Sequence, residues 1–133
     1  MYYTEEITDA SYEDINKLHQ LSFGYSRSIE DVNIKYNTTC FGLKNIGFLA
    51  KSEEQELAAY YGVFPIVLSY ENNHFLVAQS GDTMTAPHHR KKGLFTRLAK
   101  ETYSFSKSKI REIKVWRAAI IARRPKMIIS TCS

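Results

Sequence analysis

Long apolar runs are missing from this chain of 133 residues, and so is any secretory stretch behind its acidic start, Met1-Tyr2-Tyr3-Thr4-Glu5-Glu6. The first absence excludes a membrane-spanning helix, which needs about 20 consecutive apolar residues. The second makes the cytoplasm the expected location. Cysteine is scarce as well. Cys40 and Cys132 stand alone and far apart, a usage that reads as reduced thiols rather than a disulfide framework, with Cys40 packing rather than reacting. The four histidines have no metal-ligand spacing, so no metal site is expected. Neither an internal repeat nor a low-complexity tract is present.

What is there is ordinary in bulk: 44% hydrophobic and 24% charged residues, enough for one modest core. The net charge of +4 hides an asymmetry. Met1 to Ser106 carry ten Lys/Arg against thirteen Asp/Glu, a net of −3. Lys107 to Ser133 carry eight against Glu112 alone, a net of +7. All the basicity therefore belongs to the tail.

Hydrophobic spacing predicts a first strand over Tyr2 to Thr8. A helix from Tyr12 to Ser22 follows, opened by Ser11-Tyr12-Glu13-Asp14, with Ile15, Leu18, Leu21 and Ser22 on its inner stripe. Ser28-Ile29-Glu30-Asp31 starts a second helix, Ile29 to Tyr36. Three extended segments come next, about Lys44–Lys51, Leu57–Tyr70 and His74–Thr85, as an antiparallel meander. Pro65 cannot donate to a ladder, which asks for a bulge or an exposed edge at that point. Strand alternation divides Tyr60, Tyr61 and Phe64 between core and groove. Lys91 to Phe105 reads as a third helix, with Leu94, Leu98 and Phe105 inward, Phe95 and Ala99 flanking, and Lys92, Lys100 and Lys107 in solvent.

Residues 79–98 hold most of the functional signal. An apolar strand enters a hydroxyl-rich stretch, Pro87 breaks it, and Arg90-Lys91-Lys92-Gly93 opens a helix. The first-turn amides of a helix have no partner and its dipole favours anions, so this arrangement suits a phosphorylated cofactor. Cations at a helix N-terminus oppose the dipole unless an anion sits beside them. His88 and His89 read as loop residues, since neighbours on extended chain point apart.

With that element order, Arg90-Lys91-Lys92-Gly93-Leu94-Phe95 resembles the acetyl-coenzyme A loop of the GNAT acyltransferase superfamily, Arg/Gln-x-x-Gly-x-Gly/Ala. Phe95 departs from it, in the manner of a branch that carries Gly-Leu-Phe there. Ala58-Ala-Tyr-Tyr-Gly-Val-Phe-Pro65, Ala78-Gln-Ser-Gly-Asp-Thr-Met-Thr85 and Pro87-His-His-Arg90 resemble that branch too. The likeness runs from about Tyr2 to Ser108. It implies an α/β (α+β) fold: a mixed, mostly antiparallel sheet flanked by helices.

The resemblance implies an N-acyltransferase that moves an acetyl group from acetyl-coenzyme A to an amine. In such a fold the strand before the loop splays at a bulge, and the backbone near Thr83, Met84 and Thr85 pairs with the pantetheine arm. The pyrophosphate rests on amides from Lys91 through Lys92, Gly93, Leu94 and Phe95 to Thr96, with Arg90 and Lys92 as charge partners. Asp82 is the implied catalytic base, directly or through a water, with Ser80 and Gln79 as further polar candidates. Many members draw an acid from a late tyrosine, and none follows Tyr103 here.

Residues 1–108 form the expected acyltransferase part, and 109–133 a basic tail in which the likeness is lost. Glu112-Ile-Lys-Val-Trp116 and Lys126-Met-Ile-Ile-Ser130 could each form a strand, but no room remains for the helix and two strands that normally complete the fold. The C-terminal part is thus expected to be missing or altered, as from a truncated or frame-disrupted reading. Exposed sheet surface and self-association would follow from that. Two other functions stay open: a coenzyme A-binding pseudoenzyme, or a nucleic-acid or acidic-partner binder built on Lys114, Trp116, Arg117, Arg123 and Arg124. The acceptor amine is not legible.

Overall fold

The computed structural model describes residues 1–109 and 128–132. Its sheet contains β1 (Tyr2–Glu6), β2 (Ile46–Ser52), β3 (Leu57–Tyr70), β4 (Asn73–Thr85) and β5 (Ile128–Ser130). The first four lie in chain order, and every pairing is antiparallel. Three helices, α1 (Tyr12–Phe23), α2 (Ile29–Tyr36) and α3 (Leu94–Lys109), cover the sheet. This is the mixed α+β architecture that the resemblance implies.

Period-two alternation splits the core in two. Leu49, Tyr60 and Met84 pack with Ile15, Leu18, Val32 and Tyr36 of α1 and α2. Their strand neighbours Ala50 and Tyr61, with Ala59, Val63 and Ala78, pack with Leu94 and Leu98 of α3. Tyr60 and Tyr61 thus go to opposite faces, as alternation requires.

Local chemistry explains where the helices begin. Ser28 Oγ accepts from the Asp31 amide and caps α2. Ser11 makes no side-chain cap for α1. It works one turn earlier, in a short 3-10 segment (Asp9–Ser11), where its hydroxyl accepts from the Thr8 amide while Thr8 Oγ1 accepts from Ala10. The inner stripe of α1 also differs from expectation. Tyr12, Ile15, Leu18 and His19 are buried, and Leu21 is exposed. The His19 ring is tolerated inside because Nδ1 meets the Tyr25 carbonyl at 2.8 Å.

Helix α3 starts three residues later than its sequence pattern suggests. Lys91 and Gly93 have φ of 61° and 75°, left-handed values that no right-handed helix can include. Its fully buried stripe runs Leu94, Leu98, Thr102 and Ser106, and Phe105, half-buried, packs against the same core as expected. The two hydroxyls are satisfied by backbone carbonyls, Thr102 donating to Tyr61 at 3.3 Å and Ser106 to Thr102 at 2.8 Å.

Pro65 pairs with Ala78 on its β4 side. On the other edge of β3, pairing with β2 ends at Val63 and pairing with β5 begins at Val67. The proline occupies the gap, where no neighbouring strand needs its missing N–H.

The cysteines overturn one expectation. Cys40 and Cys132 form a disulfide across 92 residues, with Cα atoms 5.9 Å apart. Sequence distance was a poor guide to spatial distance here: the pairing of β5 with β3 brings the tail back over the α2–β2 connection. The expected strand Glu112–Trp116 and the basic cluster Lys114, Trp116, Arg117, Arg123 and Arg124 lie outside the described residues. Lys126–Ser130 survives as β5, Ile128–Ser130. It adds to β3, so among the described residues the outer edge of β4 has no partner strand.

Candidate active site

The site is built on a fault in the β3–β4 ladder. Tyr60 faces Met84 and Gly62 faces Gly81, so one residue of β3 opposes two of β4, Asp82 and Thr83. The extra residue is a β-bulge, and Asp82 takes it up with φ of 55°. Aspartate is one of the few non-glycine residues that tolerate this conformation. Bulging reverses which face later side chains occupy, and it puts both Asp82 and Met84 on the α1–α2 side.

There the Asp82 carboxylate meets three donors. Arg27 Nη1 and the Tyr36 hydroxyl reach Oδ2 at 2.7 and 2.9 Å, and Lys35 Nζ reaches Oδ1 at 2.8 Å. Burial pushes the acid upward, but the hydrogen bonds and charges of Arg27 and Lys35 outweigh it and hold Asp82 below the usual carboxylate range. Burial also drives Tyr36 well above an ordinary phenol, with nearby Tyr60 and Asp82 adding to the rise. Asn16 sets the arginine in place: its amide donates to the Arg27 carbonyl at 2.6 Å, and its Oδ1 accepts from the Arg27 amide at 2.9 Å.

Beyond the bulge, Thr83, Met84 and Thr85 carry the strand to its end along the edge that lacks a partner among the described residues. A 3-10 turn, Pro87–His89, then reverses the chain. His89 is tied back by the Tyr2 hydroxyl at 3.0 Å and by Glu56 at 3.3 Å, while His88 is exposed. Arg90 donates from Nε to the Thr85 carbonyl at 3.2 Å, which closes the turn.

The amides of 91–96 meet no acceptor among the described residues; the next amide, Arg97, donates to the Gly93 carbonyl at 3.1 Å. Left-handed residues at Lys91 and Gly93 flank Lys92, a backbone alternation of the kind that curls successive N–H groups into a concave nest. A Cβ built on Gly93 would meet nothing within 4 Å. Glycine is needed there for its positive φ, and the space in front of it is open. Leu94 is buried, whereas Lys91, Lys92, Phe95 and Thr96 are exposed.

Phe95 stands where the family usually has a small residue. Its ring turns toward Tyr61, centroids 5.3 Å apart and nearly perpendicular, which keeps it beside the nest as one wall of a groove. Tyr61, Ser80, Tyr103 and Lys107 also line this groove, of about 640 Å³. The Tyr61 hydroxyl donates to that of Tyr103 at 3.3 Å.

The structure thus gathers the expected residues into two adjoining places: Asp82 inside the bulge, and Thr83 to Thr96 along the strand edge and nest. Arg27, Lys35 and Tyr36 were missed as site residues. The first two lie 55 and 47 positions from Asp82, and no local pattern announces them. The one available signal was physical, since a buried carboxylate must find cations.

A bulged strand, a 3-10 turn and a loop with two left-handed residues ahead of a helix define the frame of this site. The acetyltransferase (GNAT) domain model matches residues 4–123, and the chain belongs to this family. It is similar in structure to a GCN5-related N-acetyltransferase from Kribbella flavida (TM-score 0.65, 19% identity, 82% of this chain and 28% of that one). It is also similar to Saccharomyces cerevisiae N-myristoyltransferase with bound myristoyl-CoA (TM-score 0.68, 19% identity, 82% of this chain and 29% of that one). Glucosamine-6-phosphate N-acetyltransferase from Arabidopsis thaliana is a third (TM-score 0.57, 16% identity, 90% and 84%). The chain therefore spans under a third of the first two proteins. No curated protein matches the sequence.

Proposed function

We propose that this domain transfers an acyl group, acetyl in the simplest case, from an acyl-coenzyme A to an amine. One observation carries the reading: the amides of 91–96 meet no acceptor among the described residues, at the start of α3 and one turn after a bulged strand. The residues present fit a pyrophosphate. Lys91, Lys92, Gly93, Leu94, Phe95 and Thr96 would supply N–H donors, Arg90 and Lys92 the positive charge, and Gly93 the clearance. Thr83, Met84 and Thr85 would pair with the pantetheine arm as an added strand does. When bound, the coenzyme would supply a thioester, whose carbonyl carbon gains a bond to the amine nitrogen and loses its bond to sulfur, while the nitrogen gives up a proton that balances the departing thiolate.

Asp82 keeps a place in this proposal with its role narrowed. Three donors and a lowered proton affinity make it a weak base. It serves better as a fixed anion that holds the α1–α2 connection against the bulge, and its remaining lone pair can orient a water near the reacting end. Ser80 and Gln79 lie on the same strand immediately before the bulge.

Calorimetric titration tests the reading. Acetyl-coenzyme A and 3′-dephospho-coenzyme A should bind, and pantetheine, which lacks the pyrophosphate, should lose at least tenfold in affinity. Equal affinity for all three, or no binding, would overturn it.

A further inference from the structure

We propose that the pocket on the α2 side of the bulge is an acyl-chain site that favours coenzyme A thioesters of medium-length aliphatic acids over acetyl-coenzyme A. The proposal rests on the acyl-coenzyme A reading above and names the substrate class of that same site.

The pocket has a volume of about 370 Å³. Ile34, Phe64, Pro65 and Ile66 supply apolar walls, Gln79 and Gly81 border it from β4, and the disulfide-tethered Thr131 and Cys132 close one side. A cavity of about 150 Å³ holds a benzene ring. This one therefore has room for well over six carbons, far more than an acetyl methyl needs.

Its position matters as much as its size. An arm anchored on the nest and paired with the β4 edge passes Thr85, Met84 and Thr83 and meets the bulge at Asp82. The pocket begins at the next residue, Gly81. Gly81 lies directly against the Phe64 ring, which a Cβ there would meet at 2.8 Å, so glycine lets this apolar wall close onto the strand. Phe64 itself is held by Tyr36, edge to face with centroids 5.0 Å apart, and by Lys35 Nζ at 5.6 Å from its centre. The apolar wall beside Gly81 is thus a fixed part of the bulge.

Charge argues against the amine acceptor as occupant. Arg27 and Lys35 against Asp82 leave one net positive charge beside the pocket, and Lys35 is part of its wall. An ammonium group would be repelled there, whereas an aliphatic chain is indifferent to that charge and gains from leaving water.

Titration of the full chain with acetyl-, butanoyl-, hexanoyl- and octanoyl-coenzyme A tests this. Affinity should rise with chain length, octanoyl binding at least tenfold more tightly than acetyl, with an increasingly negative heat-capacity change. Ile34→Trp, at an exposed position where folding is not at stake, should bring the octanoyl-to-acetyl ratio close to one. Binding of all four thioesters with equal affinity, or with affinity that falls with length, would overturn the acyl-chain site and leave the acyltransferase reading standing. Failure of all four to bind would overturn both.

Discussion

Asp82 and Arg27 are 55 residues apart in sequence and 2.7 Å apart in space, with side chains only 10% and 17% exposed. The contact joins the bulge of β4 to the connection between α1 and α2. Removing one partner of a buried ion pair leaves the other charge stranded, which costs about 3–5 kcal/mol. Asp82→Asn keeps a residue that tolerates a positive φ, so it isolates the charge. It should cost about 3 kcal/mol in urea unfolding. Lys35→Met, at a half-exposed partner, should cost roughly 1 kcal/mol or less. Equal losses for the two variants would show that the buried pair has no special standing.

The same contact sets a pH dependence. Folded Asp82 has its proton affinity lowered by Arg27 and Lys35 after burial has raised it. Its contribution is therefore complete above the unfolded aspartate value, about pH 4, and is lost as pH falls through the lower folded value. The stability gap between the parent protein and Asp82→Asn should be constant from pH 7 down to about 5 and shrink below 4. A gap that persists undiminished at pH 2.5 would remove the ion pair from the account.

Gly93 and Gly24 make a matched pair. Their φ values are 75° and 84°, and neither has an atom within 4 Å of a built Cβ. Alanine at either position should cost about 1–2 kcal/mol for the left-handed backbone. Gly93→Ala should also weaken acetyl-coenzyme A binding at least tenfold, because the new methyl enters the open face of the nest. Gly24→Ala should leave that affinity alone. If both variants bind like the parent, the nest is not the phosphate site.

The disulfide is open to a direct count. Denatured, unreduced protein should show no thiol reactive to a colorimetric reagent, and two after reduction. Closing a loop of 92 residues restricts the unfolded chain by roughly 4–5 kcal/mol in the chain-entropy picture. Cys132→Ser should lower the urea midpoint by a corresponding margin. Two reactive thiols before reduction would remove the crosslink.

Much of the fold was legible because its determinants are local. Helix α2 has the bounds that its Ser28 start signal and spacing give, and Leu57–Tyr70 is a strand over its full expected length. Errors gathered where a local rule met a neighbour. Leu21 fits the inner stripe of α1 by periodicity, yet His19 is buried instead because the Tyr25 carbonyl satisfies its ring. Helix α3 fits its pattern from Lys91, yet two left-handed residues postpone it to Leu94.

In the site the division is sharper. Arg90-Lys91-Lys92-Gly93 after an apolar strand announces a basic, glycine-containing loop ahead of a helix from sequence alone, because its signals are consecutive residues. The sequence also determined the order of strands and helices, through periodicity that each segment carries within itself. Only the tertiary structure decided which charges surround Asp82, that Tyr61 and Phe95 share a groove, and that Cys132 returns to Cys40. Those pairings lie 34 to 92 positions apart. Contacts at such separations arise from how whole elements pack, and no single segment encodes which of its side chains will meet another.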